Sequence, residues 1–117
     1  MKRTTIPPGE DDFVHTVTAY GNAWQMKYGT AVVNRHANKI VRIVDTWHAG
    51  GSAIEHLHHL LESDDPAVQL AAANSLVRLA TPERAVPILQ ALAVNGSGRI
   101  SLDARAGLML FERSLKK

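Results

Sequence analysis

The densest group of chemistry-bearing side chains is EHLHHLLE, Glu55 to Glu62. Three histidines, His56, His58 and His59, stand between two glutamates. On a helix Glu55, His59 and Glu62 fall at i, i+4 and i+7 and share a face. Imidazole with carboxylate is a donor set that zinc or nickel accepts. The pattern stops short of a metal site, because no H-E-x-x-H pair is present and no fourth ligand stands nearby. His58 falls on the other side with Ile54, Leu57 and Leu61, where a packed histidine is the ordinary case. The expectation is a solvated helix face, with no bound metal and no cofactor.

Other chemistry is no better supplied. Serine, aspartate and histidine occur, but none stands in a nucleophile-elbow context. Gly96-Ser97-Gly98 follows a helical pattern rather than a strand, so it is not a phosphate loop. With no cysteine in the chain, thiolate nucleophiles, thiolate metal sites and disulfides are excluded. An enzyme is not expected.

Charge is a weak guide. The formal net charge is +2 and the pI about 9.2, too mild to require a nucleic-acid partner. One basic stripe exists: Arg35, Lys39 and Arg42, with Lys27 upstream and Asp45 diluting it. It is read as a wet helix face, with a weak and salt-dependent grip on phosphates as the other reading. No apolar run is long enough to span a membrane. The opening MKRTTIPPGEDD has no apolar core of the kind a secretory signal needs. A cytoplasmic protein is the expectation.

The elements that must position these residues are helices. Phe13, Val17, Tyr20, Trp24 and Tyr28 lie within a stripe about 80° wide at helical spacing. That argues for core over a stacking platform for bases. Glu10-Asp11-Asp12 suits the N-terminal end of this first helix and Gly29 its stop. A second helix runs from Thr30, as N-cap, to Ala49, with Val33, Ala37, Ile40, Val44 and Trp47 inward. Gly50-Gly51 ends it. A third runs from Ser52 to about Glu62. Asp65-Pro66 then gives the N-cap and N1 residues of a fourth, which is apolar nearly all round as far as Ala80. Thr81-Pro82 reads as the start of a fifth, to about Val94, with Pro87 kinking it. The sixth runs from about Arg99 or Ser101 to Leu115.

Helices three and four recur in helices five and six at a shift of 32 residues. Ala53, Leu57, Leu60, Leu70, Ala72 and Leu76 match Ala85, Leu89, Leu92, Leu102, Ala104 and Leu108. What recurs is packing, since His56, His58 and His59 become Ile88, Gln90 and Ala91. A period of this length marks a helical solenoid. Where helix four has Ala73 and Ala80, helix six has Arg105 and Glu112, and polar residues there suit a terminal capping repeat. On that reading the array ends at helix six. The first two helices match the shift poorly and read as an aromatic-rich cap.

The stretch LLESDDPAVQLAAANSLVRLATPERAVPILQALA resembles a HEAT-like repeat: an apolar helix, a D-D-P-x-V turn, an A-A-x-x-L helix, then a helix with an internal proline before I-L. The likeness covers about Ala53 to Leu115. The chain is also similar to a family of small bacterial proteins with an α-α superhelix and no assigned function. The resemblance implies an all-α fold, a short right-handed superhelix of about six helices of the HEAT/armadillo kind. It implies protein–protein interaction, with nucleic-acid binding known among other HEAT-like proteins. The domain organisation expected is a tail over 1–10 and one domain over 11–117. Within that domain 11–50 is the capping pair, 51–80 repeat one, and 81–115 repeat two with the C-terminal cap.

The functional expectation is a non-enzymatic module that binds a protein partner. Asn74, Arg78, Arg99 and Asp103 are its first candidates, because the repeat leaves them on a wet strip. Leu110 stands where helix four has Arg78, and is a candidate edge for a partner or for a second subunit through helix six. A toxin-inhibiting immunity-type protein and a weak nucleic-acid binder are the other classes weighed.

Overall fold

The computed structural model describes residues 9–26, 29–96 and 98–115, and every regular element among them is a helix. There are six: α1 (Glu10–Met26), α2 (Thr30–Ala49), α3 (Ala53–Leu60), α4 (Pro66–Arg78), α5 (Ala85–Asn95) and α6 (Arg99–Leu115). The chain divides into two compact units, Met1–Ala53 and Ile54–Lys117.

In the first unit α1 packs on α2. The hairpin is antiparallel, because Phe13 near the start of α1 stacks on Trp47 near the end of α2, with ring centroids 5.7 Å apart. Phe13, Val17, Val44 and Trp47 are buried, while Tyr20, Val33, Ala37 and Ile40 are only half-buried. Trp24 is 48% exposed. So the aromatic stripe is core at its Phe13 end and not at Trp24, while Tyr28 lies outside the described residues. Periodicity names the inward face of a helix, but not how far along the axis neighbours extend to cover it.

In the second unit α4 packs on both α5 and α6, and those two on each other. Val68, Leu70, Ala72, Ala73, Ser75 and Leu76 of α4 are all buried, as a helix apolar nearly all round must be. Its start is capped as the sequence requires: the Ala67 N–H donates to Asp65 Oδ1 at 2.9 Å, and Pro66 opens the helix where no donor is needed. Gln69 Nε2 donates to the Leu61 carbonyl at 3.2 Å, tying α4 to the turn before it. Ser101 Oγ donates to the Ala93 carbonyl at 2.7 Å, tying the start of α6 to the end of α5.

Several boundaries differ from the sequence expectation. Gly29, not Thr30, stands at the N-cap position of α2. The third helix stops at Leu60, so Leu61 and Glu62 lie in the turn. Helix α4 stops at Arg78, and α5 begins only at Ala85. Pro87 therefore sits in the first turn of α5, where its missing N–H is one the helix would leave unpaired anyway. The expected kink is replaced by a helix start.

The end of α4 repeats the end of α2. After α2, the Gly51 N–H donates to the His48 carbonyl at 3.1 Å and the Ser52 N–H to the Trp47 carbonyl at 2.9 Å. After α4, the Ala80 N–H donates to the Val77 carbonyl and the Thr81 N–H to the Leu76 carbonyl, both at 3.0 Å. Each is a Schellman closure, with its C′ residue in the left-handed region: Gly51 at φ 80° and Ala80 at φ 63°. One turn earlier Thr46 and Ser75 each donate a hydroxyl to the carbonyl four residues back, both at 2.8 Å. These pairs lie 29 residues apart, not 32. The three extra residues, Pro82-Glu83-Arg84, fall between the closure of α4 and the start of α5. This is why α2 matches the 32-residue shift poorly: its counterpart is α4, in a different register.

Candidate interaction surface

Around α4 and α6 the second unit presents a strip in which alanines alternate with larger polar and apolar side chains. On α4 it carries Ala67, Ala71, Asn74 and Arg78; on α6 their counterparts Arg99, Asp103, Ala106 and Leu110. Arg78, Ala106 and Leu110 are exposed, and Arg99 and Asp103 half-buried. Arg99 Nη1 donates to Asp103 Oδ2 at 3.0 Å, one turn along the same helix, so these two charges offset each other. Leu110, 60% exposed, is a large apolar side chain on the strip.

Asn74 is placed differently from Arg78. Its residue is half-buried, but its Oδ1 is fully buried and accepts no conventional hydrogen bond. What faces it is Gly107 of α6. A Cβ added at Gly107 would collide with Asn74 Oδ1, stand 3.1 Å from its Cγ, and 3.3 Å from Leu89 Cδ1 of α5. The Gly107 Cα hydrogen in that direction therefore points toward the oxygen. Such a Cα–H···O contact is how helix pairs accommodate a carbonyl at close range. Gly107 is thus a position where α4, α5 and α6 come close together. Sequence reasoning passed over it, and the signal available was a glycine inside an otherwise strong helix, where it costs about 1 kcal/mol against alanine without a packing reason.

The histidine cluster does not gather. Among the described residues no group of three His, Asp or Glu side chains is placed to hold a metal ion. Because α3 ends at Leu60, Glu62 leaves the helical face it would have shared with Glu55 and His59. His58 and His56 are half-buried and His59 exposed, while Leu57 between them is fully buried. In the first unit Arg35, Lys39 and Arg42 are all exposed on α2, so the basic stripe faces solvent. Among the described residues no helix is long and apolar enough to cross a membrane.

A second exposed face of α6 was not anticipated. Leu102 is 65% and Met109 55% exposed, although their counterparts in α4 are the buried Leu70 and the half-buried Val77. Arg105 and Glu112 flank them and are exposed as expected, opposite in kind to the buried Ala73. The partner residue of Glu112 in the pairing, Ala80, is exposed in its left-handed turn and belongs to no packed face. Matching apolar letters across the repeat predicts shared register, not shared burial.

No curated protein matches the chain, and no solved structure does. A family model described as HEAT repeats matches residues 33–108. The match reaches back into α2, upstream of Ala53, in keeping with the closure that α2 shares with α4. It covers the leucines and alanines that recur at the 32-residue shift. The fold is of the all-α, HEAT/armadillo-like α-α class, and the chain is a helical-repeat module. With the greater part of its length matched, the chain belongs to the HEAT-repeat family.

Proposed function

We propose that this module binds a protein partner along the strip formed by α4 and α6, with Arg78 and Leu110 as its principal contacts and Arg99, Asp103 and Asn74 at its margins. The observation that carries the proposal is Leu110. It stands 60% exposed beside Ala106 and in register with an exposed arginine. Large side chains rising from a floor of alanines make a shallow surface with a few anchors. Interfaces draw most of their affinity from such anchors, arginine prominent among them. The Arg99–Asp103 pair supplies polar edge without net charge, and Asn74 contributes through shape, since its oxygen is turned inward.

The test is site-specific photocrosslinking in the native cell. A crosslinking residue at position 110 is expected to give a discrete protein adduct, and one at position 62, in the α3–α4 turn, to give none. Arg78→Glu should abolish the adduct. An adduct that persists unchanged in Arg78→Glu and in Asp103→Arg would show that the strip is not the contact surface.

The exposed Arg35, Lys39 and Arg42 support a second reading, in which α2 holds an acidic or phosphate-bearing partner. Three cations make only a weak, salt-sensitive contact. A band shift with single- or double-stranded DNA at about 50 mM salt that vanishes by about 200 mM would favour it.

A further inference from the structure

The outward face of α6 is distinct from the strip just described. Leu102, Arg105, Met109 and Glu112 follow one another at 3-4-3 spacing, so they form one narrow seam along the helix. Leu110 lies about 120° away from the middle of that seam at helical spacing, on the strip. In α4 the counterpart seam begins with Leu70 and Ala73, both buried in a helix that packs on α5 and α6. The surface that opens α6 outward is thus one whose counterpart in α4 is covered. In α6 it is open, with Leu102 and Met109 more than half exposed.

We infer that what covers it is α6 of a second copy of this chain, antiparallel across a twofold axis. The argument is the charge arrangement. Arg105 and Glu112 lie on the same flank of the seam, seven residues and so about 10 Å apart. A helix turned end for end about a twofold between residues 108 and 109 brings Glu112 of the copy opposite Arg105. The same operation brings its Arg105 opposite Glu112. Both residues are exposed, and among the described residues neither forms an ion pair within its own chain. Met109 then packs against its own image at the axis, and Leu102 lies along the copy's last turns. A surface that complements itself this way closes into a dimer and goes no further. A parallel pairing would put the two charged flanks on opposite sides of the seam, out of each other's reach.

The contact uses a different face from the partner strip, so it stands or falls separately from that proposal. Sedimentation of the full chain from about 5 to 500 μM spans the range where a contact of a few side chains associates. The average mass should rise from the monomer's 12.7 kDa toward twice that value and stop there. Met109→Glu should hold it at the monomer mass, with helicity by circular dichroism unchanged because the residue is exposed. Arg105→Glu and Glu112→Arg should each weaken association about tenfold, and the two together should restore it. A monomer at every concentration overturns the inference. So does growth beyond a dimer, a dimer indifferent to Met109→Glu, or a double swap that fails to rescue.

Discussion

The meeting of Gly107 with Asn74 gives a prediction whose sign reverses with its background. Gly107→Ala sets two effects against each other. Alanine favours a helix interior over glycine by about 0.5–1 kcal/mol. The new methyl, however, would overlap Asn74 Oδ1 and crowd its Cγ at 3.1 Å, with Leu89 behind at 3.3 Å. Overpacking of a filled contact costs roughly 1–3 kcal/mol. The net expectation is a loss of about 1–2 kcal/mol. Asn74→Ala removes both atoms that collide, together with a buried oxygen that lacks a conventional partner. In that background Gly107→Ala keeps its helical advantage and meets only Leu89, so it should stabilise by about 0.5 kcal/mol or more. The coupling between the two sites is then about 1.5–3 kcal/mol, well above the additivity error of distant sites. Urea unfolding followed by circular dichroism measures all four proteins, with the m-value as check on the unfolded state. Tryptophan fluorescence will not serve, since Trp24 and Trp47 both lie in the other unit. If Gly107→Ala costs the same with Asn74 present or absent, the close approach is not what the glycine is for.

Three further outcomes follow from single contacts. Ala80→Gly should raise stability by about 0.5–1 kcal/mol, because a left-handed alanine is replaced by the residue that adopts this conformation freely; Gly51→Ala should lower it by a similar amount, and thermal melts compare the two directly. Asp65→Ala removes the acceptor of the Ala67 N–H and should cost about 1 kcal/mol by urea titration, with Asp65→Ser recovering most of it. Phe13→Ala empties the site against Trp47 and should cost about 3–5 kcal/mol, with a shift of the Trp47 emission toward that of solvated indole.

Much of this fold was legible because its signals are local. Asp65-Pro66 announces a helix start by satisfying or dispensing with backbone donors, and Gly50-Gly51 announces an end. The apolar spacing of α4 forces burial on more than one side. What escaped the sequence depends on where neighbours lie. Trp24 shares a helical face with Phe13, yet among the described residues only Phe13 of the two has a stacking partner. Thr81-Pro82 carries the letters of a helix start, but Thr81 closes α4 instead, through its N–H and a 3.3 Å hydroxyl contact to the Leu76 carbonyl. Ala80 hides a left-handed turn because alanine gives no warning of one. Of the candidate strip, Arg78 and Leu110 were placed by register alone, while the inward turn of Asn74 depended on a glycine across the helix interface. The seam of Leu102 and Met109 was visible as apolar letters, and the absence of anything packed over it was not.

The matched closures of α2 and α4 define a unit of chain as well as a hydrogen-bond pattern. Ser52 to Ala80 begins just after one left-handed residue and ends on the next. Cutting at those two points yields a cassette whose ends are interchangeable, since Ser52 and Thr81 occupy the same place in their turns and each directs a hydroxyl at the carbonyl five residues back. A duplicate of the cassette inserted after Ala80 would meet the same backbone geometry on both sides. Copy number of this cassette is therefore a variable that in-frame duplication could change while keeping the same backbone closure at each junction.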